Sequence, residues 1–285
     1  MIPLVLCLFL QDQAAADLLN QVQPGCVTIR DQRAVRLSVT NAAKFKPEHW
    51  KAVARLTKLQ QLLIHGYGDG VTDEVLASFS RLEALEELRL TQPSITDKGL
   101  QSLAGLKNLA KISITAPKKE FTGAGLSHLA VLPKLGGLEM SSMNDTGAAG
   151  CLKLTQLQEL KVASSSLTDE GLAKLGTHPS LRKLAVDDWF QAQITDAGIA
   201  RLAETKLLEE ISLTAVRATW DGSLARFKDH PSIRKLELLR SQVSGEDQAK
   251  MRDTIPAIAV NWTPAAMSDQ ASLEAAYKRR KAEKK

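Results

Sequence analysis

The chain has 285 residues, 44% apolar, 24% charged and 4% aromatic, a composition that builds a packed core and excludes an intrinsically disordered protein. Beyond the N-terminal stretch no apolar run approaches the roughly 18 residues that a membrane-spanning helix needs. The net charge is +5, all of it in residues 277–285, so residues 1–276 are neutral and offer no basic footprint for nucleic acid.

Ile2–Leu10 is a nine-residue apolar stretch, followed shortly by Ala14-Ala15-Ala16. A run of that length ending in small residues reads as a secretory signal occupying residues 1–16. Export to the periplasm, the cell surface or the medium follows from it. No Lys or Arg precedes the run, and the other reading is a buried segment capping the fold, with a cytoplasmic location as the alternative. Cys7 follows Leu6, where a lipoprotein site needs a small residue. Residues 17–33 are then an N-terminal cap.

Residues 34–262 repeat the pattern Leu-x-x-Leu-x-Leu. It starts weakly at Ala34/Leu37/Val39 and continues as Leu59/Leu62/Ile64, Leu85/Leu88/Leu90, Leu109/Ile112/Ile114 and Leu135/Leu138/Met140. Leu157/Leu160/Val162, Leu181/Leu184/Val186, Leu208/Ile211/Leu213 and Ile233/Leu236/Leu238 follow, with starts 22 to 27 residues apart. One more strand is expected, either Ala257/Val260/Trp262 or Ile255/Ile258/Val260. Period and pattern together identify leucine-rich repeats.

A second motif lies between the strands. Ile95-Thr96-Asp97-Lys98-Gly99-Leu100 is echoed at Val71-Thr72-Asp73, Leu167-Thr168-Asp169-Glu170-Gly171-Leu172 and Ile194-Thr195-Asp196-Ala197-Gly198-Ile199. On these residues the chain resembles bacterial leucine-rich repeat proteins built on ITDxGL units, and the related repeat arrays of F-box proteins. The resemblance implies a curved α/β solenoid that binds other molecules and carries no chemistry of its own. No F-box is visible before the first repeat.

The residues support that fold independently. Thr followed by Asp is helix N-cap chemistry, worth about 1 kcal/mol per helix. The interval from the Asp to the next strand's first apolar residue is 12 residues at Asp73, Asp97, Asp145, Asp169, Asp196 and Asp221. A single repeat cannot cover its own apolar face, so neighbours must stack. The expected fold is a right-handed α/β leucine-rich repeat solenoid of nine or ten repeats, with parallel strands on the concave side. Residues 263–285 form a charged helix and basic tail.

Residues with chemical potential fall into structural slots. Cys151 aligns with the inward Leu103 and reads as a buried thiol. Cys26 lies several strands from it, too far for a disulfide. His178 and His230 both take the slot of Leu106 within His-Pro-Ser turns, and Trp50 takes that of Leu100. His49, His65 and His128 lack partners at catalytic or metal-binding spacing. Asp187-Asp188, the one acidic pair worth weighing, reads as solvated charge. No catalytic residue, metal or cofactor is expected.

Two surfaces compete for binding. On the concave sheet, Glu87, Lys111, Gly137, Glu159, Lys183, Glu210 and Lys235 take one position of successive strands, with Arg182, Glu209 and Arg234 beside them. Charges of alternating sign about 4.8 Å apart form a ladder that satisfies itself. The strand-to-helix edge absorbs all variation in repeat length, which often marks the binding face of a repeat protein. Tyr67, Lys118, Lys119, Trp189, Phe190 and Trp220 lie there as candidate protein-binding residues, although the rings could instead fold back over the core.

The function expected is a noncatalytic protein-interaction scaffold with an unidentified protein partner. The alternatives are a substrate-recognition or inhibitory subunit of a separate enzyme, and a surface protein held by its tail. In the last, Lys278, Arg279, Arg280 and Lys281 would touch an anionic surface.

Overall fold

The computed structural model describes residues 4–66, 70–117, 121–188, 193–264, 271, 275 and 278, with side chains from residue 12 onward. The chain divides into two compact units, residues 1–121 with 125–139, and residues 122–124 with 140–285. Each is a stretch of α/β leucine-rich repeat solenoid: strands follow chain order, and a short helix or 3-10 turn links most of them.

The first unit begins with α1 (Leu4–Val22) and a hairpin of β1 (Val27–Arg30) and β2 (Arg33–Val39). The hairpin turns through Asp31 and Gln32 at φ 46° and 62°, a loop whose twist suits antiparallel strands. Next come α2 (Pro47–Val53), β3 (Gln61–His65), α3 (Asp73–Ser78), β4 (Glu87–Thr91), a 3-10 turn Asp97–Leu103 and β5 (Lys111–Thr115). A 3-10 segment Ala124–Val131 leads to β6 (Gly137–Ser141), where the units divide. β2 to β5 are parallel, and Leu37, Leu62, Leu88 and Ile112 stand in register and buried.

α1 runs unbroken through Ala16. Asp12, Ala15, Ala16 and Leu19 are buried, and α1 packs on α2 and β2. Asp12 Oδ2 accepts the Ala34 N–H at 3.3 Å and lies 3.8 Å from Arg33 Nη1. Among the described residues no helix is long and apolar enough to cross a membrane.

The second unit contains α4 (Asp145–Cys151), β7 (Glu159–Ala163), α5 (Asp169–Gly176), β8 (Lys183–Asp187), α6 (Asp196–Leu202) and β9 (Glu210–Thr214). A 3-10 turn Leu224–Phe227, β10 (Lys235–Ser241), α7 (Gly245–Thr254) and β11 (Ala259–Pro264) complete it. β7 to β11 are parallel, with Leu160, Leu184, Ile211 and Leu236 in register and buried. Leu236 faces Val260 and Leu238 faces Trp262, which selects Ala257/Val260/Trp262 as the last strand pattern.

Helices α2 to α7 span six to ten residues. Isolated helices of that length are not stable in water, so packing and caps must hold them. Thr168, Thr195 and Ser244 accept backbone N–H bonds from Glu170, Ala197 and Asp247 at 3.1, 3.3 and 3.0 Å. Asn144 accepts two, from Thr146 and Gly147.

The aspartate after the cap does something the local motif does not announce. Its carboxylate reaches forward to the Thr of the next repeat. Asp73 accepts from Thr96 N and Oγ1 at 2.9 and 2.7 Å, and Asp145 from Thr168 at 2.9 and 2.6 Å. Asp169 accepts from Thr195 at 2.7 and 2.6 Å, and Asp196 from Thr219 at 3.0 and 2.8 Å. These are charge-assisted bonds between repeats, and stronger than a neutral cap.

The glycine three residues after each of these threonines makes room for that carboxylate. A Cβ on Gly99, Gly171, Gly198 or Gly222 would collide with the aspartate of the repeat before it: Asp73, Asp145, Asp169 or Asp196. Where the preceding repeat lacks the aspartate, the glycine can lapse. Pro47 stands in its place before Val75, and Trp220 before Asp247.

This register corrects the sequence alignment at one point. Thr219 is the residue bonded to Asp196, so Trp220, not Asp221, occupies the aspartate position. The interval from Trp220 to Ile233 is then 13 residues, one longer than in the other repeats.

Candidate binding surfaces

The charges on the exposed sheet face come from strand positions whose neighbours point into the core. Register pairs Glu87 with Lys111, Glu159 with Lys183, and Glu210 with both Lys183 and Lys235. The expected cross-strand ladder forms only in part. Lys183 Nζ meets Glu210 at 2.6 Å, and Arg182 pairs with Glu209. Glu87–Arg89, Glu159–Lys161 and Lys235–Glu237 instead pair along their own strands at 2.9, 3.1 and 2.7 Å. Residues i and i+2 share a face of the pleat, so a long cation reaches either neighbour. Small Ala185 and Ser212 sit among these groups and leave a hollow of about 310 Å³.

Lys183 is held protonated above its ordinary range, chiefly by the Glu210 bond, with Glu159 and Glu209 adding to it. The pair is half-exposed, so solvent screens it. Lys183→Glu is expected to lower the urea midpoint at low salt, to do so less at high salt, and to leave partner binding in place. A variant of unchanged stability that has lost binding would make this face the docking site.

The strand-to-helix edge is built differently. In the left-handed region lie Gln92, Ala116, Ser142, Ser164 and Ala215, each directly after a strand, and Arg240 near the end of β10, with φ between 46° and 64°. None is glycine, so each conformation costs about 1 kcal/mol and is imposed by the stacked repeats. Trp220 is half-buried, while Tyr67, Lys118, Lys119, Trp189 and Phe190 lie outside the described residues. Past Trp220, where the aspartate ladder ends, the edge opens into a hollow of about 480 Å³ between Arg217–Thr219 and Ser241–Gln248, walled by Trp262 and Pro264.

Asp188 is not solvated charge: it is fully buried, and its Oδ2 accepts the Gln193 N–H at 3.2 Å. Among the described residues no three His, Cys, Asp or Glu side chains are grouped to hold a metal. Cys26 and Cys151 are free and buried; burial pushes the Cys151 thiol up to about 12 and raises Cys26 as well. Trp50 is core, edge-on to Phe79 at 6.0 Å between ring centroids. Lys278 is exposed; Arg279, Arg280 and Lys281 lie outside the described residues.

His178 bridges two repeats. Its Nε2 donates to the Cys151 carbonyl at 3.1 Å, and its Nδ1 accepts the Ser180 N–H at 3.3 Å. His230 repeats the Nδ1 side of the arrangement, accepting from Ser232 at 3.3 Å and Ile233 at 3.1 Å. Protonation would put a hydrogen on Nδ1 facing those donors. Burial lowers both pKa values, so the unfolded chain binds the proton first. Their contribution to stability is complete above about pH 6.5 and is lost as pH falls toward the lowered folded values. The urea midpoint is expected to drop between pH 7.5 and 5, and His178→Leu, His230→Leu to flatten that slope; an unchanged slope would contradict it.

No protein-family model matches the sequence, and no curated protein matches it significantly. Among solved structures the chain is similar to an internalin (inlF) from Listeria monocytogenes, at 17% identity and a TM-score of 0.47, over 78% of this chain and 67% of that one. It is similar also to internalin C2 of the same organism, at 16% identity and a TM-score of 0.46, over 88% of this chain and 93% of that one. The fold assignment rests on strand order, register and the buried leucine rows.

Proposed function

We propose that this chain is a noncatalytic protein-interaction scaffold whose partner seats on the strand-to-helix edge. The observation that carries the reading is Trp220. Stacking requires an aspartate at its position in the other repeats that form the ladder, and here a half-buried indole stands instead, beside an open edge. A repeat frame held by bonds between its own members leaves such departures available for recognition. Tyr67, Lys118, Lys119, Trp189 and Phe190 fall in corresponding connections by sequence position and belong to the same proposal.

Aromatic anchors at protein interfaces carry about 2 kcal/mol each, a roughly 30-fold loss on truncation. The chain immobilised through its C-terminus should capture a partner from an extract of its source cells. Trp189→Ala, Trp220→Ala should lose that capture at an unchanged urea midpoint. Undiminished capture by the double variant contradicts the edge assignment.

Export belongs to this reading on the strength of the Ile2–Leu10 run and the Ala14–Ala16 triplet, and the buried Asp12–Arg33 contact stands against it. The intact mass of the protein from its source reads the difference: loss of residues 1–16 supports export, and retention makes α1 a cap.

A further inference from the structure

The helix face of the second unit carries a second opening, a groove of about 640 Å³ between α5 and α6 and the turns that follow them. Its volume lies within the 300–1,000 Å³ of ordinary ligand clefts. Gly176 packs closely at its edge, where a Cβ would come 3.0 Å from Thr205 Cγ2 and 3.4 Å from Leu202 Cδ2. The position seven residues after the repeat aspartate holds Ser80, Ala104, Leu152 and Ala203, and here Gly176. Ala173 and Pro179 line the same groove.

Leu207 on the rim is 40% exposed, the one large apolar side chain so exposed among the described residues of this unit. The charges around it are unequal. Lys174 pairs with Glu170 at 2.8 Å and Arg201 with Glu204 at 2.9 Å, which neutralises all four. Lys206, next to Leu207, is exposed and has no acidic partner among the described residues.

We propose that this groove docks a short peptide segment of a partner protein, bearing an apolar anchor with a carboxylate beside it. The anchor enters the groove beside Ala173 and Pro179 and covers Leu207. The carboxylate answers Lys206, the one rim charge not already met. A basic segment would instead place its cation against Lys206 with both acids already paired. The proposal rests on the scaffold reading but uses a face other than the Trp220 edge.

The test pans a random 12-residue peptide display library on the intact 285-residue chain. Enriched peptides are expected to combine Leu, Phe or Trp with a nearby Asp or Glu. Their affinity should fall at least tenfold for Leu207→Glu and for Lys206→Glu, with urea midpoints unchanged because both positions are exposed. No enrichment, enriched peptides that are basic, or binding indifferent to either substitution overturns the proposal. Trp189→Ala, Trp220→Ala should bind the same peptides. Peptide binding lost with Leu207→Glu while extract capture persists would place the two functions on separate faces; capture lost with intact peptide binding would do so from the other side.

Discussion

Gly99→Ala should lower stability by more than about 2 kcal/mol, read as a fall in urea midpoint at constant slope. At an ordinary φ such a substitution usually stabilises, by about 0.4–1 kcal/mol, because it restricts the unfolded chain. The sign reverses here because the new Cβ would enter the Asp73 carboxylate and come 3.0 Å from its Cγ. Overpacking of that kind costs about 1–3 kcal/mol. Moving the carboxylate away would also loosen both of its bonds to Thr96. Gly245→Ala is the control: a Cβ on this first-turn helix glycine meets nothing within 4 Å. Equal effects at the two glycines would refute the clearance role.

Asp169→Ala is expected to cost about 3 kcal/mol, since each charge-assisted bond it accepts contributes about 1.5–3 kcal/mol net. Thr195 gives Asp169 both its N–H and its hydroxyl proton, at 2.7 and 2.6 Å, and the same hydroxyl accepts the Ala197 N–H at 3.3 Å. The carboxylate therefore orients the cap of α6 from the previous repeat. Asp169→Asn keeps one acceptor and turns an N–H₂ toward the hydroxyl, so an intermediate loss should result. If the alanine variant unfolds at the wild-type midpoint, the carboxylate bonds contribute nothing.

The repeat frame was legible because burial leaves little choice at its core positions. Leu62, Leu88 and Ile112 face one another across parallel strands, and any register slip would carry such residues to the wet face. The Asp and Gly of the motif were visible as letters but not as partners, since the pair that matters is split between repeats. The pairing does leave a trace: Gly99, Gly171, Gly198 and Gly222 each follow a repeat with the aspartate, while Val75 and Asp247 follow repeats without it. Applied earlier, that rule would have placed Trp220 in register where a fixed 12-residue interval chose Asp221.

Surface features were less legible. Alternation of sign foretold Lys183 with Glu210, but Lys235 turned to Glu237 in its own strand, because an exposed lysine chooses between neighbours of similar distance. Asp188 read as solvated because a loop position carries no periodic constraint, yet it is fully buried and accepts the Gln193 N–H. The groove beside Leu207 was missed for a related reason: it forms between neighbouring helices, and Leu207 falls outside the buried leucine positions. Leu207, an apolar residue directly before the inward Leu208, is the signal that points to it.

The most direct test of repeat-to-repeat locking is a double-mutant cycle on Asp73→Ala and Gly99→Ala, measured by urea unfolding. With the carboxylate gone, the methyl of Ala at 99 has room, so the second substitution should cost at least about 1 kcal/mol less in the Asp73→Ala background than alone. Strictly additive losses would mean that aspartate and glycine act independently, and that the repeats are held by apolar stacking without this lock.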